Sequence, residues 1–129
     1  MKILKQILSA AISIVVLNVW FFRFNQSTIY RGGKASNMIE EFAVYGLNET
    51  MVYIIGGLKV LAALGLLIGF FKDKIVIPSA GLMAVLMLGA LFMHFRVDDE
   101  AIKYLPAGIM FAFSVTVFLI QSKANRLAH

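Results

Sequence analysis

Four apolar runs, each about as long as a bilayer's hydrocarbon layer is thick, decide most of what this chain can become. They cover residues 3–22, 50–71, 75–95 and 104–120, and the first is broken only by Lys5, Gln6, Ser9, Ser13 and Asn18. Roughly 20 residues at ~1.5 Å each cross a ~30 Å hydrocarbon core. Unpaired backbone groups cannot be hydrated there, so each crossing must be a helix. The expected fold is therefore all-α: an antiparallel bundle of four transmembrane helices in one domain over residues 1–129.

Composition removes the competing readings. The chain is 60% apolar and 15% charged, with a mean hydropathy of +0.85, against about 45–50% apolar for an ordinary soluble domain. One small core cannot hide that much apolar surface. Without cysteine, a disulfide-stapled domain, a thiol relay and an iron–sulfur cluster are excluded. The net charge of +5 does not point to nucleic acid, because the basic residues are scattered between apolar runs and never form a patch. With only His94 and His129 as histidines, a bis-histidine haem inside the bundle is not available, and no metal site is expected. The acidic turn Asp98, Asp99 and Glu100 reads as a solvated offset to Arg96 and Lys103. The basic start followed by an apolar stretch resembles a signal peptide, but no small-x-small cleavage site follows, so an uncleaved first span is expected, with Trp20, Phe21 and Phe22 as its aromatic belt.

The connections define the topology. Residues 72–74 and 96–103 are short, which makes spans two, three and four antiparallel neighbours. The first loop is long. Inside it Asn37 precedes Glu40 by three positions, apolar residues recur at helical spacing, and Gly46 supplies a stop. A short amphipathic helix at the membrane surface is predicted over 37–45. The Arg31-Gly32-Gly33-Lys34 stretch reads as a turn, since it lacks the other elements of a phosphate loop. Small residues at i, i+4 (Gly65 with Gly69, Ala80 with Ala84, Gly108 with Ala112) predict close helix packing. Six basic residues at the end holding the termini, against five at the other, favour cytoplasmic termini in a bacterial inner membrane.

The most informative residue is Lys59. It lies nine positions after Thr50 and twelve before Phe71, near the bilayer midplane, where a charged side chain costs about 2.5–3.5 kcal/mol on insertion scales. It shares a helical stripe with Gly56 and Ala63, which aims it into the bundle. A snorkelling or internally paired structural lysine is one reading; a ligand-binding or proton-handling group is the other. His94 closes the third span on the side toward which Lys59 can snorkel. Antiparallel threading puts Asn18 and Tyr53 in the same half of the membrane, with Glu40, Glu41 and Asp98 as polar partners in the loops above. A polar half-cavity is therefore expected beneath the long loop. Met83 and Met87, on the His94 stripe, either pack the core or form a soft wall for a lipid-like or quinone-like tail.

These residues also carry a resemblance. YRGGKA at 30–35, NMIEEFAVYGL at 37–47, GLKVLAA at 57–63, MLGA at 87–90, MHFRVD at 93–98 and LPA at 105–107 resemble the DoxX-like family of small four-helix membrane proteins over about residues 10–120. The resemblance places Lys59, His94 and Asp98 at positions where that family has a lysine or glutamate, a histidine and an aspartate; Asp99 stands where many relatives have proline. It implies the four-helix fold. Family members are similar to the membrane subunit of a thiosulfate:quinone oxidoreductase, to components of redox-stress complexes and, distantly, to an animal factor for receptor assembly. The expectation drawn is an accessory or assembly subunit of a membrane complex, possessing membrane lipid and a membrane or redox protein as partners, or an oligomer of its own. The alternative is a quinone- or lipid-binding redox component or enzyme built on Lys59 and His94. A proton-coupled carrier is less favoured, because four short spans without an internal repeat offer no rocking halves.

Overall fold

The computed structural model describes residues 1–128, and these are helical throughout their regular elements. Helix α1 (Lys2–Leu17) continues into a π-helical turn (Asn18–Phe22); α2 is Met38–Val44 and α3 is Glu49–Ile68. Helix α4 (Val76–Arg96) is entered through a 3-10 turn at Asp73–Ile75, and α5 (Leu105–Ala128) through another at Ala101–Tyr104. With their flanking turns, α1, α3, α4 and α5 are each long and apolar enough to cross a membrane. The four apolar runs fall on these four helices, the second of them, α3, ending at Ile68 and not at residue 71. Helix α5 runs past residue 120, because a helix leaving the bilayer needs no apolar residues to continue.

The four long helices close a ring. Helices α1 and α4 each pack against both α3 and α5, and short connections force antiparallel neighbours. Ile12 and Val16 of α1, Ala63 and Leu66 of α3, Met83 of α4 and Val117 of α5 meet along the axis. Small residues set the spacing between α3 and α4. A Cβ on Gly65 would lie 2.0 Å from Ser79 Oγ, and one on Gly69 would lie 2.6 Å from Val76 Cγ2. The Gly108 and Ala112 pair has no such role: nothing lies within 4 Å of a Cβ built on Gly108, and Ala112 is exposed. Ser13 Oγ donates to the Ala63 carbonyl at 3.0 Å, tying α1 to α3 where water cannot compete. The outward faces carry Ile14, Leu61, Val85 and Leu119, as contact with lipid tails requires.

Helix α2 forms where the loop was expected to be helical, and both of its ends explain why. Asn37 Oδ1 accepts from the Glu40 amide at 2.8 Å. The return half of the capping box is displaced by one residue, since Glu40 accepts from the Ser36 amide at 2.7 Å and from the Ser36 hydroxyl. Those bonds hold the exposed Glu40 carboxyl below its ordinary range. At the other end Gly46 takes φ +83°, with Leu47 N–H donating to Phe42 C=O at 2.9 Å and Gly46 N–H to Ala43 C=O at 3.0 Å. This pair of bonds is the Schellman stop. The helix lays Met38, Phe42 and Tyr45 onto the mouth of the bundle, against Val52 of α3.

Candidate functional site

The π-helical turn that ends α1 governs the deep part of the site. It holds Phe21 and Phe22 outward while Trp20 packs inward, among Phe24, Phe42 and the start of α3. Trp20 is thus a wall of the bundle rather than part of an aromatic belt. Its ring lies against Gly56, where a Cβ would fall 2.4 Å from Trp20 Cζ3. One helical turn on, the Lys59 Nζ stands 5.7 Å from the Trp20 ring centroid, within the ~6 Å range of cation–π attraction.

Lys59 faces a cavity of about 900 Å³ between α1, α4, α5 and the loop carrying α2. His94, Tyr45, Met87 and Glu41 line the same space. Among the described residues the Lys59 ammonium has no hydrogen-bond or ion-pair partner, and its charge rests against the π face of Trp20. Glu41 is the one carboxylate among the lining residues, and it is already engaged. Arg31 donates to Glu41 Oε2 at 3.1 Å, while the Gly32 amide and the Tyr45 hydroxyl donate to Oε1 at 2.9 and 3.0 Å.

His94 closes the upper wall. Only 5% exposed, it donates from Nδ1 to Asp99 Oδ2 at 2.7 Å, so the carboxylate fixes the ring's orientation. The geometry comes from how α4 ends. Asp99 N–H donates to His94 C=O at 3.0 Å and Asp98 N–H to Phe95 C=O at 3.2 Å, with Asp98 at φ +55°. This second Schellman turn swings Asp99 back over the last helical turn and leaves Asp98 exposed. The expected partner Asp98 is therefore the turn residue, and the aspartate after it makes the contact. Tyr45 presents its hydroxyl oxygen 3.4 Å from His94 Nδ1 and 3.5 Å from Nε2. Since its proton goes to Glu41, and since burial and the Glu41 charge oppose ionisation, the Tyr45 phenol is pushed far above its usual value.

A lid joins these parts. Arg31, 4% exposed, donates from Nε to the Gln26 carbonyl at 2.8 Å and from one terminal nitrogen to the carbonyls of Arg23 and Phe24. Gly33 N–H donates to Asp99 Oδ1 at 2.9 Å, and the Lys103 ammonium donates to the carbonyls of Arg31 and Gly33. The Arg31-Gly32-Gly33-Lys34 stretch is a turn, as expected, but one pinned over the cavity. Sequence reasoning missed Arg31, Tyr45, Trp20, Asp99 and Lys103. Only the Glu41 and Tyr45 pair, four apart on a helix, left a readable signal.

The remaining expected site residues separate. Lys59, His94, Met87 and Glu41 share the cavity. Met83 is fully buried in the core below it. Asn18 is exposed on the outer side of the π-helical turn. Tyr53 is 59% exposed, stacked on Phe24 and bonded to Glu49 at 3.4 Å. Glu40 is spent on Ser36. A cavity thus lies beneath the lid, lined by Trp20 and Tyr45 and not by Asn18 or Tyr53. No curated protein and no solved structure matches the chain. A family model does match, over residues 11–117, and with four membrane-crossing helices around that lidded cavity the protein belongs to the DoxX-like family.

Proposed function

We propose that this membrane protein binds an amphipathic molecule drawn from the bilayer, quinone-like or lipid-like, with its oxygen-bearing headgroup at Lys59 beneath the lid. The observation that supports this is the Lys59 ammonium, which faces the cavity without an ion-pair partner among the described residues, the one lining carboxylate, Glu41, being engaged by Arg31, Gly32 and Tyr45. A free cation at that depth is costly, and a ligand oxygen, carbonyl or anionic, offsets the cost by accepting from it. Trp20 gives the headgroup a flat face, and Met87, Met93 and Met110 give a tail an adaptable wall. His94 and Tyr45 stand at the lidded end, where a ligand proton can be exchanged through His94 and Asp99.

The accessory-subunit reading draws on a separate feature. The lid leaves Ile29 and Tyr30 exposed outside any span, a small apolar crest suited to a partner protein. Both readings fit cytoplasmic termini in a bacterial inner membrane, which places the lid on the far side and can be checked with terminal reporter fusions. The deciding experiment is an organic extract of the purified protein together with its co-purifying proteins. A stoichiometric quinone or lipid supports the binding reading; an empty cavity with a stoichiometric partner protein overturns it in favour of the accessory role.

A further inference from the structure

The opposite end of the bundle is built differently. There α1, the turn between α3 and α4, and the last turns of α5 enclose an open cavity of about 1210 Å³. Its floor is polar and organised. Lys5 donates to Gln121 Oε1 at 2.7 Å and pairs with Asp73 at 3.5 Å, while Gln121, 2% exposed, donates to Asn125 at 2.9 Å. Around it stand Lys2, Lys72, Lys74 and Lys123, none of which makes an ion pair among the described residues. Asp73 is the only carboxylate among the described lining residues. It is already opposite Lys5, so among the described residues nothing offsets the positive charge of the four outer lysines.

Two further facts say what this charge faces. Phe70, Phe71, Ile120 and Leu127 adjoin the lysines in the same cavity, and Phe71 and Leu127 are 90% and 78% exposed. A soluble anion has no use for that wall, whereas a lipid presents a phosphate and an acyl chain together. The depth also agrees. Helix α5 has 24 residues, about 36 Å at ~1.5 Å each, which exceeds a ~30 Å hydrocarbon core and carries its basic end to the level of the lipid phosphates.

We propose that this basic cavity is a binding site for an anionic phospholipid, with the phosphate among Lys72, Lys74 and Lys123 above the Lys5–Gln121 floor and an acyl chain along Phe71 and Ile120. It is independent of the Lys59 cavity. Basic pockets between transmembrane helices hold anionic headgroups in this way, each lysine contributing about fivefold in affinity near such a surface.

The test compares the full-length protein in mild detergent with added phosphatidylglycerol or phosphatidylcholine, reading thermal unfolding and lipid adducts by native mass spectrometry. Phosphatidylglycerol is expected to raise the unfolding temperature and to give a one-to-one adduct, with at least tenfold preference over phosphatidylcholine. The triple variant Lys72→Gln, Lys74→Gln, Lys123→Gln should lose both effects. A charge-matched control at the lid end, Arg23→Gln with Lys34→Gln and Arg96→Gln, should keep them. Equal response to both lipids, equal loss in the control, or the same stabilisation by inorganic phosphate at matched ionic strength overturns the proposal. The wild-type lipid comparison stands alone if the triple variant does not fold.

Discussion

Gly56 and Trp20 share one space: the indole occupies the volume a side chain on Gly56 would take, with Cζ3 only 2.4 Å from where its Cβ would stand. This fit seats the ring one turn before Lys59. Gly57, the next residue, has nothing within 4 Å of its Cβ position. The two glycines therefore differ in kind, although the sequence presents them as a pair.

The first prediction uses that difference. Gly57→Ala is expected to be neutral or stabilising by up to about 1 kcal/mol, the usual gain from removing a helical glycine. Gly56→Ala should lose about 1–3 kcal/mol, the range for overpacking a filled site, and should shift tryptophan fluorescence as Trp20, the chain's single tryptophan, is displaced. Thermal unfolding and emission spectra check both. Equal behaviour of the two variants contradicts the packing described.

A second prediction separates the adjacent aspartates. Asp99→Ala leaves both the His94 Nδ1–H and the Gly33 amide without an acceptor, so a loss of about 3 kcal/mol is expected from breaking a buried pair. Asp98 contributes only a left-handed backbone turn. Replacing it by glycine should be neutral or stabilise by about 0.5 kcal/mol, because glycine adopts that conformation without strain. Denaturation midpoints of the two variants should move in opposite directions or differ by several degrees.

Arg31 gives the third. Its guanidinium serves Glu41 and three backbone carbonyls at once, a fork that a lysine cannot reproduce. Arg31→Lys keeps the charge yet should cost about 2 kcal/mol and free the lid. Hydrogen exchange of the Gly32 and Gly33 amides reads this directly. Protection as slow as in the wild type would count against a pinned lid.

How much of this was legible follows from what each residue depends on. The four spans and α2 rest on local information, such as an apolar run, an Asn37 cap or a Gly46 stop, and those were readable. Lys59 stood out because charge in an apolar run is rare. The small residues Gly56 and Ala63 gave the facing direction of Lys59, but that of Asn18 and Tyr53 was not readable, since a helix apolar all round has no polar side to orient it. Asn18 shows this: the π-helical turn changes the angular step from one residue to the next, and Asn18 ends outside while Trp20 turns in. Arg31 and Asp99 depend on long-range closure of the lid onto α2 and α4, which no window of sequence contains. The choice between Asp98 and Asp99 hung on which one took the left-handed turn position.

A fourth prediction concerns alkaline pH. The Tyr45 phenol is held far above its ordinary value of about 10 by burial and by the Glu41 charge. A group whose folded value is raised contributes stability fully below the unfolded value and loses it as pH climbs beyond. The wild type should therefore lose stability from about pH 10 upward more steeply than Tyr45→Phe. Below pH 9 the two curves should run parallel, offset by the lost bond to Glu41. Unfolding temperatures across pH 7–11 check the slope, and identical slopes would place the phenol in contact with solvent.

The last prediction asks whether Lys59 holds the bundle together or serves a ligand. Its interaction with Trp20 contributes about 0.5–2 kcal/mol, whereas the insertion cost of a charge at that depth is about 2.5–3.5 kcal/mol. Structure alone therefore does not favour a lysine there. Methionine keeps the length and apolar volume and removes the charge, so Lys59→Met should fold at normal levels and unfold at the same or a higher temperature. If the cavity binds a quinone-like or lipid-like molecule, the same protein should carry at least tenfold less of it after purification. His94→Ala should lose ligand too, but with a lower unfolding temperature, because it leaves the buried Asp99 Oδ2 without its donor. Extracted ligand is quantified for each variant against wild type. Full ligand retention in stable Lys59→Met protein would show that the ammonium does not hold the headgroup, and collapse of folding would show that the lysine is structural after all.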